Sequence, residues 1–198
     1  MPSISINEQH EYTLNNSRIP GVTEIIKEIT GCSWSAAPWY LDRGRAIHKC
    51  AEFLIKGKQF KFDDRLSGYI TALKSFFSIV KPELIGSEVL VYSETYKFAG
   101  ILDLACKISG IKTIIDWKHS IDKIRLPLQL GGYSAAYKDT WKEEFNQGIG
   151  VQIKDNGTFQ MTEKIDLRRP RNEFLSLRTA YAIKERCQTL SKQKEVGT

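Results

Sequence analysis

Two apolar segments decide how this chain folds: Gly100-Ile101-Leu102-Asp103-Leu104 and Ile114-Ile115-Asp116-Trp117-Lys118. Each has the length of a buried β-strand, yet each carries ionisable side chains, which a buried strand normally lacks. Successive side chains of a strand point to opposite faces of the sheet. We therefore expect Asp116 and Lys118 to share one face, while the two neighbours of Asp116 point to the other.

The connection between the two segments is short enough for a β-hairpin, with Ser109-Gly110 at the turn. Pairing of the strands is expected to bring Asp103 beside Asp116, with Lys118 in the same small site. Two adjacent carboxylates repel each other, and one must take up a proton unless a cation lies between them. Carboxylate oxygens suit Mg²⁺ or Mn²⁺.

A lysine beside such a metal can hold a water molecule or stabilise charge that develops on a phosphate. The combination indicates metal-assisted hydrolysis of a phosphodiester. A structural Asp–Lys pair at the end of a strand is the alternative, because partly buried ion pairs are common. The three residues alone leave both interpretations open.

The composition is that of a globular protein with a moderate positive charge. The 198 residues fit one domain, and the net charge of +6 is compatible with a polyanionic partner. No apolar run approaches the roughly 18 residues that a membrane span needs. Because the amino-terminal residues are polar, we also expect no signal peptide and an intracellular protein.

The cysteines argue against a zinc ribbon. Cys32, Cys50, Cys106 and Cys187 are scattered and form no CxxC pair. Reduced thiols are the default inside the cell. Cys106 lies in a predicted strand and is expected in the core.

Periodicity and turn residues predict helices first and then a sheet. Residues 1–20 are predicted as an extended arm or a short strand pair. The later elements are a helix over 24–29 capped by Thr23, a helix over 38–56, a helix over 65–80 capped by Asp63-Asp64, strands over 85–92, 96–108 and 111–118, a helix over 125–141, strands over 147–154 and 158–164, and a helix over 170–192 that frays from 191.

This order predicts a mixed α/β fold with a central mixed β-sheet flanked by helices. We expect a single domain over 1–198, with an amino-terminal helical part over about 20–82, a catalytic core over about 83–165 and a carboxy-terminal helix over 170–192. Gly131-Gly132 lies inside a predicted helix, where each glycine costs about 1 kcal/mol relative to alanine. That cost indicates close approach of the backbone to the sheet or to a ligand.

The motifs in this order resemble the PD-(D/E)XK nuclease superfamily, most closely its RecB-like exonuclease branch. Asp103 lies in an apolar strand, Asp116-Trp117-Lys118 follows in the next, and Gln129 and Tyr133 form a Gln-x-x-x-Tyr pattern on a helix. The similarity covers roughly residues 19–140.

Two upstream segments fit the same branch. Arg43-Gly44-Arg45-Ala46-Ile47-His48 matches its Arg-Gly-x-x-x-His helix, and Glu52 follows at the spacing often found there. Ile19-Pro20-Gly21-Val22-Thr23 is similar to the start of many phage and mitochondrial members.

The resemblance implies a restriction-endonuclease-like core and a role for each matching residue. The implied metal ligands are His48, Asp103, Asp116 and the backbone carbonyl of Trp117. The implied catalytic residues are Asp103, Asp116, Lys118, Gln129, Tyr133 and Glu88. The implied substrate-binding residues are Arg43, Arg45, Glu52, Gln129 and Tyr133.

It also implies a Mg²⁺- or Mn²⁺-dependent deoxyribonuclease with one or two ions, typically an exonuclease in recombination, repair or phage replication. The implied partners are DNA, as single strands or DNA ends, and a helicase or recombination protein. The expected location is the cytoplasm of a bacterium or phage-infected cell rather than the mitochondrial matrix.

The sequence departs from this pattern at three points. Asp116 stands where glutamate is commoner, and no proline precedes Asp103. Only Cys187 follows the core, so the four-cysteine iron–sulfur cluster of some members cannot be built and none is expected.

Several alternatives remain open. The same chemistry would serve an endonuclease, and a non-catalytic DNA-binding subunit could keep the fold. Glu52 could simply pair with a nearby cation, and Gln129 and Tyr133 could be packing residues. One basic group, Arg168, Arg169 and Arg171, would track a phosphate backbone or form a solvated turn. One aromatic group, Trp34, Trp39 and Tyr40, would stack bases or, as we prefer, enter the core.

Overall fold

The computed structural model describes residues 3–31 and 38–196, without the side chains of 38 and 192–196. The strands are β1 (Ile4–Ile6), β2 (Tyr12–Leu14), β3 (Ser17–Ile19), β4 (Glu83–Ser93), β5 (Phe98–Ile108), β6 (Ile111–Lys118), β7 (Gln147–Ile153), β8 (Phe159–Met161) and β9 (Ile165–Asp166). The helices are α1 (Val22–Thr30), α2 (Pro38–Ile55), α3 (Ser67–Val80), α4 (Arg125–Trp141) and α5 (Arg168–Val196), with a 3₁₀ turn at Asp64–Leu66 before α3.

The main sheet has six strands in the order β4-β5-β6-β7-β8, with β9 paired to the free part of β7. Strands β4, β5 and β6 are antiparallel neighbours, β7 runs parallel to β6, and β8 and β9 are antiparallel to β7. Helix α4 makes the crossover between the parallel strands, as parallel pairing requires. The predicted mixed sheet flanked by helices is confirmed.

Helices cover both faces of this sheet, so its central strands are apolar on each side. On one face, α1, α4 and α5 pack through side chains such as Ile25, Leu130 and Phe174. On the other, α2 and α3 pack through side chains such as Ile70 and Phe76. The site described below lies where β5 and β6 cease to pair, beside α2 and α4.

The amino-terminal residues form a small antiparallel sheet of β1, β2 and β3 rather than an arm. A single bridge between Gly21 and Ala99 joins this region to β5. The predicted cap at Thr23 is wrong, because α1 begins at Val22 after the extended Gly21. The side chain of Glu24 accepts a hydrogen bond from the N–H of Gly21 at 3.3 Å. This bond caps the helix, which begins two residues before the predicted start.

The close approach predicted at the glycine pair is real, but the neighbour is neither the sheet nor a ligand. A Cβ at Gly131 would lie 2.4 Å from the backbone of Pro170, and one at Gly132 would lie 2.9 Å from Val22 and 3.0 Å from Phe174. The glycines therefore admit α5 and α1 against α4. With side chains at these two positions, α5 and α1 could not approach α4 so closely.

The carboxy-terminal third differs from the prediction in two ways. Of the predicted strand over 158–164 only β8 is formed, with β9 following it as a separate strand, and α5 runs from Arg168 to Val196, beyond the predicted end at 192. Helix α5 returns to the start of the chain. Tyr181 donates a hydrogen bond to Glu24 at 2.8 Å, and Lys184 forms an ion pair with Glu28 at 2.8 Å.

Candidate active site

The alternation predicted for β6 is observed. Ile115 and Trp117 belong to the core between the sheet and α2 and α3, whereas Ile114 belongs to the core on the side of α4. Asp116 follows on that second side and is 1% exposed. Its carboxylate forms an ion pair with Lys118, two residues further on the same face.

Asp103 lies where β5 and β6 cease to pair. The register runs from Ile108↔Ile111 to Leu104↔Ile115, so Asp103 and Asp116 occupy the next position. Oδ2 of Asp103 accepts a hydrogen bond from the backbone N–H of Trp117 at 2.8 Å. A carboxylate therefore substitutes for the backbone acceptor that a continuing strand would offer.

His48 on α2 and Glu88 on β4 complete the cluster. Nδ1 of His48 lies 3.2 Å from Oδ1 of Asp103 and 3.9 Å from Oε1 of Glu88. The ligand atoms of His48, Glu88 and Asp103 all lie within 4.8 Å of one another. Glu88 has a φ of +51°, which is uncommon for a residue with a side chain and is found at functional sites.

Burial and mutual repulsion perturb the ionisation of these groups. Burial and the nearby Asp103 raise the pKa of Glu88 to about 7 and that of Asp116 to about 6, although Lys118 opposes the second shift. Burial disfavours the imidazolium of His48, but Asp103 and the other carboxylates outweigh it and raise its pKa to about 9. The carboxyl groups of the cluster therefore outnumber the cationic side chains that could neutralise them.

Asp103 and Lys118 keep their charges. Burial acts against the ionised form of Asp103, but His48, Lys118 and the N–H of Trp117 together lower its pKa. Burial likewise acts against the ammonium of Lys118, but Asp116 and Asp103 raise its pKa. At neutral pH, Lys118 is a cation held against carboxylates.

Two carboxylates of the cluster have buried oxygens without a hydrogen-bond partner in the described part of the chain. Both carboxylate oxygens of Asp116 and Oε1 of Glu88 are buried without one, apart from the ion pair to Lys118. Unsatisfied buried oxygens are costly. Together with the imidazole of His48 and Oδ1 of Asp103, they form a donor set that fits a hard divalent cation.

Gln129 and Tyr133 lie one turn apart on α4 and point into the same pocket. Nε2 of Gln129 donates a hydrogen bond to the hydroxyl of Tyr133 at 2.9 Å. A Cβ at Gly100 would lie 2.6 Å from the Tyr133 ring, so glycine gives this ring its place against β5. Burial, followed by Asp116 and Asp103, raises the pKa of Tyr133 well above its usual value.

The predicted substrate-binding residues of α2 divide into two groups. Arg45 and Glu52 line the pocket, where Arg45 pairs with Asp42 and Glu52 pairs with two lysines, Lys49 and Lys56. Arg43 does not line it. Its guanidinium is buried and donates a hydrogen bond to the hydroxyl of Tyr69 at 3.1 Å.

The preference for a core role of the α2 aromatics is wrong. Trp39 is 39% exposed and Tyr40 is 51% exposed. Each ring stacks with an arginine, Arg65 over Trp39 at 4.1 Å and Arg43 over Tyr40 at 4.8 Å. Trp34 and Cys32 lie outside the described residues.

The basic segment before α5 is arranged in ion pairs. Arg168 pairs with Asp166, Arg169 with Glu173 and Arg171 with Glu144. Cys106, the one thiol predicted to lie in the core, is fully buried, and Cys50, Cys106 and Cys187 are free cysteines. None of these residues lines the active-site pocket.

The acidic cluster lines a pocket of about 560 Å³. Its lining also includes residues that the sequence did not predict, among them His10 from the β1–β2 turn and Tyr12 from β2. No motif marks them, and the only available signal was the presence of aromatic and histidine side chains in the amino-terminal segment.

In the described part of the chain, no helix is both long and apolar enough to cross a membrane.

Comparisons with known proteins identify relatives in structure only. No protein-family model matches this chain, and no curated protein matches its sequence. The crystal structure of LHK-Exo in complex with dAMP matches with a TM-score of 0.52 at 13% identity, over 90% of this chain and 93% of that one. A second structure, the alkaline exonuclease LHK-Exo from Laribacter hongkongensis, matches with a TM-score of 0.48 at 10% identity, over 89% and 92%. The chain thus shares its fold with LHK-Exo.

Proposed function

We propose that this chain is a divalent-metal-dependent deoxyribonuclease of the PD-(D/E)XK superfamily, in its RecB-like branch, and that it removes nucleotides from DNA ends. One observation carries the proposal: Asp103, Asp116 and Lys118 meet in one pocket with a histidine from α2 and a glutamate from β4. The nuclease domain would span the whole chain. The shared fold with an exonuclease supports the proposal.

Asp103, Asp116 and His48 would hold the metal ion, with Glu88 and the carbonyl of Trp117 beside them. When bound, Mg²⁺ or Mn²⁺ would polarise the phosphate and lower the pKa of a water molecule. The donors are oxygens and one imidazole, which suits these ions. No role for an iron–sulfur cluster is proposed.

Lys118 supplies the positive charge that the phosphate needs. Its Nζ is paired with Asp116, so the ammonium is fixed in place before substrate arrives. A fixed cation stabilises charge as it develops on the phosphate oxygens and can orient the attacking water. Gln129 and Tyr133 offer an amide and a hydroxyl one helical turn apart, and the raised pKa of Tyr133 keeps its hydroxyl protonated as a donor.

DNA is the proposed polyanionic partner. The net charge of +6 favours it, and the solved relative was crystallised with the nucleotide dAMP. A helicase or recombination partner would act with the enzyme in recombination, repair or phage replication. We place these activities in the cytoplasm of a bacterium or phage-infected cell.

The direct test is degradation of linear single- and double-stranded DNA with Mg²⁺ or Mn²⁺. Wild type should degrade DNA, whereas Asp116→Asn and Lys118→Met should not. Lys107→Met is the matched control, because Lys107 lies at the far end of the same hairpin and outside the pocket. Equal rates for wild type and Asp116→Asn would refute the proposal.

Closed circular single-stranded DNA separates the two kinds of nuclease. An exonuclease leaves the circle intact, and an endonuclease opens it. DNA binding in EDTA without cleavage in any metal would instead favour a non-catalytic subunit.

A further inference from the structure

We propose that His10 binds a phosphate of the substrate strand adjacent to the phosphate that is cut. This inference deepens the proposed function and rests on it. It begins with a second cavity of about 680 Å³ that adjoins the active-site pocket. Both cavities have the size of sites that bind small molecules, so each has room for a nucleotide of one strand.

The two cavities are parts of one groove. They share lining residues from α1, α4 and the end of β6, and they share His10 from the β1–β2 turn. The first cavity contains Asp103 and Asp116, whereas the second continues past Ser120 and Leu41. A strand with its scissile phosphate at the carboxylates would therefore pass His10 on its way into the second cavity.

The backbone of the β1–β2 turn holds His10 in an unusual conformation. His10 has a φ of +59°, which costs free energy for a residue with a side chain. The side chain of Asn7 fixes the turn, since its Oδ1 accepts the N–H of Gln9 at 3.0 Å and of Glu11 at 2.9 Å. The carbonyl of Asn7 accepts the N–H of His10 at 3.0 Å. These bonds place the imidazole at the junction of the cavities.

The imidazole is available to an incoming anion. His10 is exposed, and none of the described acids forms an ion pair with it. Two cations of the groove are already engaged by acids, since Lys118 pairs with Asp116 and Arg45 pairs with Asp42. An imidazole N–H is a suitable donor to a phosphate oxygen. The geometry thus assigns His10 to a non-bridging oxygen of the neighbouring phosphate.

The variant His10→Gly tests this role without straining the fold. Glycine adopts a positive φ readily, so the variant should keep the melting temperature of wild type. His119→Ala is the matched control, because His119 is an exposed histidine that lines neither cavity. The substrates are short single strands with a neutral methylphosphonate in place of the phosphate on one or the other side of the scissile phosphate.

Wild type and His119→Ala should cut one of these two analogues at least about tenfold more slowly, in kcat/KM, than the unmodified strand. His10→Gly should cut that analogue and the unmodified strand at the same reduced rate. Retained discrimination in His10→Gly would overturn the inference. A lower melting temperature with equal loss on all three substrates would also overturn it, because it indicates a structural role.

A binding measurement separates this inference from the proposed function. In EDTA, fluorescence anisotropy of a labelled single strand should show at least about tenfold weaker binding to His10→Gly than to wild type. Equal binding refutes the role of His10, whether or not the protein cleaves DNA. Weaker binding by a protein that never cleaves DNA supports the role of His10 and refutes only the nuclease.

Discussion

The backbone N–H of Trp117 donates a hydrogen bond to Oδ2 of Asp103 at 2.8 Å, while Oδ1 of the same carboxylate lies 3.2 Å from Nδ1 of His48. One oxygen therefore maintains the junction of β5 and β6, and the other is available to the pocket. Asp116 differs, because its carboxylate pairs with Lys118 and no backbone N–H of the described residues donates to it. The two acids should respond differently to substitution.

We expect Mn²⁺ to raise the melting temperature of wild type and not that of Asp116→Asn. At 100 times Kd, binding adds about 2.7 kcal/mol to the free energy of unfolding, or roughly 5–10 °C for a chain of this size. Differential scanning fluorimetry with and without EDTA measures the shift. Glu94→Gln, which removes an exposed acid outside the pocket, should shift as wild type does. An equal rise of the melting temperature in Asp116→Asn would contradict the assignment of Asp116 as a metal ligand.

Lys118→Met should lower kcat by about 10²-fold or more while leaving the Mn²⁺ shift in place. The methionine keeps the apolar stem but removes the cation that would stabilise charge on the phosphate. Loss of a positive charge beside the carboxylates should not weaken metal binding. Single-turnover rates at saturating Mn²⁺ measure the effect. Loss of both kcat and the Mn²⁺ shift would indicate that Lys118 acts through the fold.

Asp139→Asn should lower stability at neutral pH and have less effect in acid. Burial opposes its charge, but hydrogen bonds from Ser93 and Thr95 and contact with Lys142 lower the pKa of Asp139 below 3.8. A lowered carboxyl pKa stabilises the fold above the unfolded pKa, and this stabilisation is lost as pH falls through the folded pKa. Urea unfolding at pH 7 should show a loss of about 1 kcal/mol, which shrinks toward pH 3. A gap that is constant with pH would contradict this account.

Gly131→Ala should destabilise the protein by about 1–3 kcal/mol, because its Cβ would meet the backbone of Pro170 at 2.4 Å. Gly44→Ala provides the contrast within another helix. A Cβ at Gly44 has no neighbour within 4 Å, so alanine should stabilise α2 by up to about 1 kcal/mol. Chemical denaturation measures both. Similar effects of the two substitutions would contradict the tight contact between α4 and α5.

The hairpin and its charged residues could be predicted because alternation in a strand is a local property. Asp116 and Lys118 needed only a two-residue spacing to share a face, and a short turn placed Asp103 nearby. Helix α4 was predicted from Arg125 to Trp141 as observed, since its apolar positions follow one helical period.

The features that were missed depend on contacts distant in sequence or on backbone torsions. The start of α1 depends on Glu24 reaching back to Gly21, and the neighbours of Gly131 come from α5. The positive φ of Glu88 and of His10 leaves no mark on residue type, because neither is glycine. The exposure of Tyr40 follows from the packing of α2, which composition does not report.

The contact of Tyr181 with Glu24 joins residues 157 positions apart. During synthesis on the ribosome, this contact can form only after residues 24–181 have all emerged, so α1 meets α5 late. Contacts between residues so far apart in sequence raise the contact order, and a higher contact order slows folding. Helix α5, which is made long after α1, therefore completes the packing around it.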